Sequence, residues 1–258
     1  MSNIIVLSNQ ESLSMDTEWF EYANSNHFWF NWRLHAALKQ FKESGLNIKK
    51  KLHVLDIGGG MGILANQIEH STNWNVDICD LDQQALKDCA QIRGHKFLYN
   101  IRDENKHMIN KYDIVILYDV LEHIKITESF LKSCIAHLKE NGLLLVNVPA
   151  LQECYSIYDK EIGHYRRYNI EQINNEFSKL EVEVLDNRYW GLSLLPILVL
   201  RKFYLAISTT QKNIIKTGFQ PPSDLINKLF IYISKIELFI LSKPLLGTSL
   251  LSIYKKTK

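Results

Sequence analysis

The stretch VLDIGGGMG, residues 54–62, decides how the chain folds. The apolar run LHVLDI, residues 52–57, predicts a strand, the glycines at 58, 60 and 62 predict a tight turn, and GILANQIEH predicts a helix. Glycines let such a turn bend sharply and lie close to a ligand, while the amides of the next helix face that ligand. The stretch therefore predicts a ligand-binding strand, turn and helix.

Two details of the sequence restrict the class of ligand that this loop could bind. The glycines follow the pattern G-x-G-x-G, whereas a nicotinamide-binding loop, G-x-G-x-x-G, requires its third glycine at Ile63, so a dehydrogenase is disfavoured. Asp56 lies within the apolar run, where an acid is costly unless it has partners. Asp80 ends the next apolar run, 18 residues after Gly62, and is placed to accept hydrogen bonds from ribose hydroxyls.

Apolar runs and helical patterns alternate outward from this stretch. Further strands are predicted at residues 75–82, 95–100, 112–119, 143–149, 180–190 and 247–256. Helices are predicted at residues 16–43, 83–92, 127–142, where Asn-Gly is the expected stop, 170–180 and 224–241. This alternation is typical of an α/β fold with a doubly wound parallel sheet and right-handed crossovers.

We expect four regions along the chain. They are an N-terminal helical lid at residues 1–45, a ligand-binding core at 46–190, a basic, apolar helical insertion at 191–246 and the final strand of the core at 247–258. From Gly191 to the end there are ten basic and two acidic residues, a balance of +8, which leaves −6 for residues 1–190. The insertion therefore favours an anionic partner. Peripheral contact with a membrane, a homodimer interface and a cover over the substrate are its three interpretations.

Composition excludes several classes of protein. The chain has 258 residues, 46% of them hydrophobic, which is enough for a full core. A net charge of +2 is too weak for a protein that binds nucleic acid by bulk charge, so no nucleic-acid partner is expected. The four cysteines lack zinc-site spacing and the N-terminal segment lacks the pattern of a signal peptide, which together favour the cytoplasm.

Four stretches in order resemble the class I S-adenosylmethionine-dependent methyltransferases. They are VLDIGGGMG, DICDLDQ, YDIVILYDVLEHI and HLKENGLLLVNVP, all between residues 52 and 150. The resemblance implies a seven-stranded Rossmann-like sheet. The string DVLEH, residues 119–123, points to the branch that includes ubiquinone-pathway enzymes. HFWFNWR and GHYRRYN resemble elements of a bacterial group associated with cell-surface polysaccharide and lipid pathways.

The resemblance implies S-adenosylmethionine as the cofactor and S-adenosylhomocysteine as its product. It puts Asp56 near the amino end of methionine, Asp80 on the ribose and Leu81 against the adenine. It also puts four glycines beside the amino-acid part of the cofactor: Gly58, Gly59, Gly60 and Gly62. Asn100 and Ile101 are placed at the adenine amino group, and Tyr118 and Asp119 on the side of the sulfur. Gly59 stands where the family usually has another small residue or Cys, which removes no needed glycine.

Three histidines are candidates for the base that a hydroxyl acceptor requires, because histidine titrates near neutrality. His164 is the first candidate, since it lies on a loop beyond the carboxyl end of a strand, where such sheets bind ligands. His123 and His27 are the others. The alternatives are a loop histidine bonded to backbone for His164 and a helix-cap partner for His123.

Three arginines are candidates to hold a phosphate or carboxylate of the substrate, namely Arg33, Arg166 and Arg167. For the last two, ion pairs with nearby acids at positions 159 and 161 are the alternative. No metal set is expected, because the histidines are scattered and Glu122 and His123 are expected to point different ways on a helix.

These observations predict a methyltransferase of the cytoplasm or of the inner face of the membrane. Its expected reaction is O-methylation of a small or lipid-linked acceptor, of the sugar, quinone or natural-product type. A C- or N-methyltransferase is one alternative. A scaffold protein that binds S-adenosylmethionine without turnover is the other.

Overall fold

The computed structural model describes residues 4–9, 26–208, 214 and 222–257. Its strands are β1 (Ile4–Val6), β2 (His53–Ile57), β3 (Asn75–Asp80), β4 (Lys96–Leu98), β5 (Tyr112–Tyr118), β6 (Leu138–Pro149), β7 (Val182–Trp190) and β8 (Ser249–Lys256). The described helices are α1 (Phe28–Glu43), α2 (Ile63–Ser71), α3 (Gln83–Asp88), α4 (Thr127–Ala136), α5 (Ile157–Glu161), α6 (Ile170–Phe177), α7 (Leu195–Ser208) and α8 (Asp224–Ile240). Short 3-10 turns join several of them.

One mixed sheet forms the centre of the molecule, in the order β1-β4-β3-β2-β5-β6-β8-β7. The pairs from β1 to β6 are parallel, whereas β8 runs antiparallel to both β6 and β7. The central strands are covered on both faces, which is why they read as nearly continuous apolar runs. Leu55 belongs to the core on one face of the sheet and Val54 to the core on the other, and both are fully buried. The predicted doubly wound α/β fold class is confirmed.

The sheet has eight strands, one more than predicted. The additional strand, β1, pairs with β4 at the edge of the sheet. The Asn100 amide donates to Ser8 Oγ just beyond this pair, which fastens the segment to the core. Three residues are too short a run to stand out as a strand in the sequence.

Two predicted element boundaries differ in the structure. The helix predicted at residues 127–142 ends at Ala136, and β6 begins at Leu138. Asn141 adopts a left-handed conformation with φ 61° inside this strand, where the pairing with β5 shifts register, so Asn-Gly marks an irregularity and not the helix stop. The helix predicted at 16–43 is described from Phe28 onward, and residues 16–25 of that prediction lie outside the described residues.

The first and last described helices, α1 and α8, pack against each other. The side chain of Asn227 on α8 accepts a hydrogen bond from the Phe28 amide at the start of α1. The Phe28 and Phe230 rings also pack together, with centroids 4.7 Å apart and planes tilted by 40°. Glu237 accepts hydrogen bonds from the amides of Gly191 and Ser193, which holds α8 against the end of β7. Among the described residues, no helix is long and apolar enough to cross a membrane.

Candidate active site

A cavity of about 1310 Å³ opens at the carboxyl ends of the parallel strands. Its wall includes the loop after β2, the ends of β3 and β5, the first turn of α1, the segment around α5 and parts of α7 and α8. The predicted site residues that line it are His27, Arg33, Asp56, Gly58, Gly59, Gly60, Asp80, Leu81, Asn100, Ile101, Tyr118, Asp119, His123, His164 and Arg167. Gly62 and Arg166 do not line it.

The glycine loop turns under tight steric limits. Gly62 caps α2 in a left-handed conformation, and a Cβ there would lie 2.4 Å from Cys89 Sγ, so this glycine shapes the loop from behind. At Gly59 a Cβ would lie 2.6 Å from Ile78 Cγ2 and 2.9 Å from Asp56 Oδ2. Position 59 therefore has no room for a side chain beside Ile78 and Asp56. The loop brings backbone, not side chains, to the cavity.

Asp80 joins the end of β3 to this loop. The Gly60 amide donates to its Oδ2 at 2.8 Å, and the Asp82 amide donates to its Oδ1 at 2.9 Å. Burial raises the pKa of Asp80, while these amides lower it. A carboxylate has about four lone-pair positions, so two are left for hydroxyl donors in the cavity. The role of Asp80 in shaping the loop was not predicted from the sequence.

Asp56 is a buried carboxyl beside the loop. It is 2% exposed, and its Oδ2 has no hydrogen-bond partner among the described residues. Burial raises its pKa to about 7, against the attraction of Arg33 and with the repulsion of Asp80. An unpartnered acid of this kind suits a ligand that brings an ammonium group.

Two further pairs complete this end of the cavity. Asn100 Oδ1 accepts a hydrogen bond from the Arg102 amide, so it caps the short turn that contains Ile101. Asp119 follows β5 in a left-handed conformation with φ 58°, forms an ion pair with Arg33 and accepts a hydrogen bond from Asn147. The buried Tyr118 hydroxyl has no partner among the described residues, and burial raises the pKa of Tyr118. These residues hold the ends of β4 and β5 in the cavity wall.

The other end of the cavity is built around His164. Its Nδ1 lies 3.1 Å from Asp159 Oδ1, and its Nε2 lies 3.7 Å from Glu122 Oε1. Burial would raise the pKa of Asp159, but hydrogen bonds from His164 and Arg167 outweigh it and hold that pKa below its usual range. The His164 and His123 rings meet edge to face, with centroids 4.6 Å apart. Burial, aided by His164, lowers the pKa of His123 to about 4.

Two of the candidate arginines have structural partners. Arg167 Nη2 lies 2.7 Å from Asp159 Oδ1, as the ion-pair alternative predicted. Arg166 pairs with Glu176 at 3.4 Å and donates to the Lys125 carbonyl at 2.9 Å. Arg166 does not line the cavity, so its role in substrate binding stays a prediction. Arg33 lies in the cavity wall but is paired with Asp119.

His27 is the third candidate histidine. Its Nδ1 accepts a hydrogen bond from the Trp29 amide at 3.1 Å, which makes it the N-cap of α1. Burial lowers its pKa to about 4. In the aromatic string after it, Phe28, Trp29 and Phe30 line the cavity, whereas Trp32 is buried in the core. His27 therefore has a capping role at the edge of the cavity.

Sequence reasoning missed Glu122 as a site residue. Its side chain is 1% exposed, and neither carboxylate oxygen has a hydrogen-bond partner among the described residues. The expectation that Glu122 and His123 point different ways is wrong: donor atoms of Glu122, His123 and His164 lie within 4.8 Å of one another. Glu122 and His123 stand together in the string DVLEH, which the sequence analysis had singled out. Their closeness to His164 comes from the fold and could not be read from the sequence.

A doubly wound sheet with a glycine loop after its first central strand and an acid ending the next defines a Rossmann-like nucleotide-cofactor protein. Residues 23–189 match the family model described as a methyltransferase domain, which is more than half of the chain. The chain therefore belongs to this family, among the class I S-adenosylmethionine-dependent methyltransferases. The cofactor of this class is S-adenosylmethionine, and the unpartnered Asp56 and the free acceptor positions of Asp80 fit its ammonium and ribose groups.

Known proteins support the same assignment. Over 108 residues the chain is 30% identical to a ubiquinone biosynthesis O-methyltransferase of Rickettsia canadensis, covering 40% of this chain and 45% of that protein. The chain thus spans about half the length of the curated relatives it matches. It shares its fold with the Haemonchus contortus phosphoethanolamine N-methyltransferase 2 in complex with S-adenosyl-L-methionine, at TM-score 0.54 and 20% identity over 88% of this chain and 52% of that one. A methyltransferase of Archaeoglobus fulgidus gives TM-score 0.51 and 16% identity over 87% and 94%.

Proposed function

We propose that this protein transfers the methyl group of S-adenosylmethionine to a hydroxyl group of a small or lipid-linked acceptor. The observation that carries the proposal is one cavity with two chemically different ends. One end has the glycine loop, Asp56 and Asp80, and the other has His164 between two carboxylates.

The loop end holds the cofactor in this proposal. When bound, S-adenosylmethionine supplies a sulfonium whose methyl group is electrophilic. Asp56 pairs with the ammonium of its methionine part, and Asp80 accepts from its ribose. Tyr118 and Asp119, which follow one another at the end of β5, also line the cavity.

The histidine end orients the acceptor and takes its proton. Methyl transfer breaks the bond from sulfur to the methyl carbon and forms one from the acceptor oxygen, so the hydroxyl must also lose its proton. Asp159 lies on the Nδ1 side of His164, so in this proposal Nδ1–H donates to Asp159 and the Nε2 lone pair meets the acceptor hydroxyl. His164 acts as the base, and Asp159 acts on it as a positioning residue.

Exposed apolar faces on α7 and α8 support a lipid-linked acceptor and contact with a membrane. On α8, exposed apolar residues recur at steps of four and three: Leu225, Leu229, Tyr232, Ile236 and Phe239. Leu225 is 80% and Phe239 is 89% exposed, and the exposed side chains of Lys228 and Lys235 flank this stripe. On α7, Leu200 is 68% exposed and also lines the cavity. An apolar face flanked by lysines suits an anionic lipid surface, such as the inner face of the cytoplasmic membrane.

A vesicle experiment tests the membrane contact. We expect the protein to float with phosphatidylglycerol vesicles, and a Leu225→Ser/Phe239→Ser double variant to remain at the bottom of the gradient. Val184→Ser, which alters an exposed apolar residue on β7, is the control and should float like the wild type. Equal flotation of all three proteins contradicts the membrane contact. A stable dimer that the double variant loses would assign this face to a second copy of the chain.

Methyl transfer itself is tested in two steps. Isothermal titration should give binding of S-adenosylmethionine and S-adenosylhomocysteine, and a labelled-methyl screen of lipid and glycan extracts should give a methylated product. Mass spectrometry of that product assigns the methylated atom, and a product methylated on carbon or nitrogen refutes O-methylation. Cofactor binding without a product in any extract favours the scaffold alternative.

A further inference from the structure

We infer that Glu122, His123 and His164 form a binding site for a divalent transition-metal ion at the acceptor end of the cavity. Binding of the ion does not depend on the proposed function, whereas the role of the ion in methyl transfer rests on it. It adds a cation to the set of ligands that the cavity takes.

The donor set is the first argument. One carboxylate oxygen and two imidazole nitrogens lie within 4.8 Å of one another, and Glu122 Oε1 is 3.7 Å from His164 Nε2. A tetrahedral ion with bonds of about 2.1 Å holds its donors roughly 3.4 Å apart, so a small closure of the side chains completes the site. Three protein ligands leave a coordination position open toward the cavity, as a site that handles substrate requires.

Burial of Glu122 is the second, independent argument. The side chain is 1% exposed, and neither oxygen has a hydrogen-bond partner among the described residues. A carboxylate in such a place is very costly unless a cation accompanies it. Arg167, a buried cation nearby, is bonded to Asp159 and to the Ala150 carbonyl, and it donates no hydrogen bond to Glu122. A bound ion would supply the missing charge.

The surroundings of His164 are the third argument. Metal-bound histidines usually donate their other ring N–H to a carboxylate or a carbonyl, which fixes the tautomer and the direction of the lone pair. His164 has this arrangement: its Nδ1 faces Asp159, and its Nε2 faces Glu122. Asp159 is in turn fixed by Arg167. The Tyr165 amide donates to the Glu122 carbonyl at 2.8 Å, which joins the two segments that provide the ligands.

The chemistry of the donors selects the ion. Imidazole nitrogens suit Zn²⁺, Cu²⁺, Fe²⁺ and Ni²⁺, whereas Mg²⁺, Ca²⁺ and Mn²⁺ prefer sites made of oxygen atoms. A transition-metal ion here would lower the pKa of an acceptor hydroxyl. With the ion bound, Nε2 of His164 serves as a ligand, and the ion takes over the activation that the free imidazole otherwise provides.

Cobalt binding tests the site directly. Titration of the metal-free full chain with Co²⁺ should give a visible absorption band that saturates at one equivalent. Glu122→Gln keeps the size of the side chain and should weaken Co²⁺ binding by at least ~10-fold, as should His164→Ala. His70→Ala is the control, because His70 is exposed on α2 and bonded to its own helix. It should bind Co²⁺ like the wild type.

Two results would overturn the inference: no band at one equivalent of Co²⁺, or equal affinities for the wild type and Glu122→Gln. Circular dichroism checks that each variant is folded, and His123→Gln serves if Glu122→Gln is not. The thermal midpoint should rise with Zn²⁺ in the wild type and stay constant in the variant. Methyl transfer that persists after removal of all metal, with no Co²⁺ band, refutes the ion and leaves the proposed function standing. Co²⁺ binding without binding of S-adenosylmethionine refutes the proposed function and leaves the ion standing.

Discussion

Replacement of Asp56 by asparagine should change how cofactor affinity depends on pH. Burial raises the pKa of Asp56 to about 7 from an ordinary value of 3.8. The folded protein without cofactor therefore holds a proton on Asp56 between these two pH values, which the unfolded chain releases. Burial of Asp56 therefore costs no free energy of unfolding below pH 4. The cost grows as pH rises toward 7 and is about 4 kcal/mol at pH 8.

An ammonium group beside Asp56 reverses this cost, because it favours the ionised carboxylate. With a pKa near 7, Asp56 is roughly 10% ionised at pH 6 and roughly 90% ionised at pH 8. If the cofactor binds only the ionised form, its affinity gains about tenfold over this range from Asp56 alone, which is about 1.3 kcal/mol. The ammonium of the cofactor begins to lose its proton near pH 8, and this loss weakens the pairing in the wild type. The gain is therefore compared between pH 6 and pH 7, where ionisation of Asp56 contributes about fivefold.

The assay is isothermal titration of S-adenosylhomocysteine into the wild type and Asp56→Asn at pH 6, 7 and 8. The ratio of the affinity of the wild type to that of the variant should rise about fivefold from pH 6 to pH 7 and level off toward pH 8. Titration in buffers of different ionisation enthalpy should show a proton released on binding at pH 6 by the wild type and not by the variant. A constant affinity ratio, with no difference in proton release, refutes the pairing of Asp56 with the ammonium.

Four further substitutions test the glycine loop, a matched control glycine and the attachment of α8 to β7. Asp80→Asn should weaken S-adenosylmethionine binding by at least ~10-fold in isothermal titration, because one acceptor oxygen cannot serve two amides and the ribose; unchanged affinity would contradict the assigned contact. Gly62→Ala should lower the free energy of unfolding in urea by about 2–5 kcal/mol, since it combines a left-handed φ with a clash against Cys89. Gly45→Ala has the same φ sign and open space around it, so a loss of about 1–2 kcal/mol is expected, and equal losses would refute the clash. Glu237→Gln should destabilise the protein by about 1–3 kcal/mol, seen as a lower thermal midpoint, because its carboxylate holds the end of β7 to α8.

The end of the cavity beside the glycine loop was predictable from the sequence because its acids stand at or near the ends of strands. Asp56, Asp80 and Asp119 stand at or next to the carboxyl ends of β2, β3 and β5, and parallel strands bring such ends to one edge. The apolar runs that locate these strands are local signals. Knowledge of the strands was therefore enough to collect the residues at this end.

Other features depend on contacts that no local pattern records. β1 is a strand only because β4 offers it an edge. The helix before β6 ends at Ala136 because the following residues pair with β5, and that pairing overrides the turn signal of Asn141. The direction of Arg166 is set by Glu176, ten residues later on α6.

The histidine end of the cavity also depends on contacts that no local sequence pattern records. Glu122 and His164 come from segments about forty residues apart, and the backbone hydrogen bond from the Tyr165 amide to the Glu122 carbonyl joins these segments. Asp119 lies where the two ends meet: Arg33 pairs with it, and Asn147, which also accepts from Trp190, donates to it. The network fixes the end of β5 without using any residue of the segment around α5. Changes in that segment should therefore alter the acceptor and leave the cofactor in place, which is why His164→Ala is expected to separate turnover from cofactor affinity.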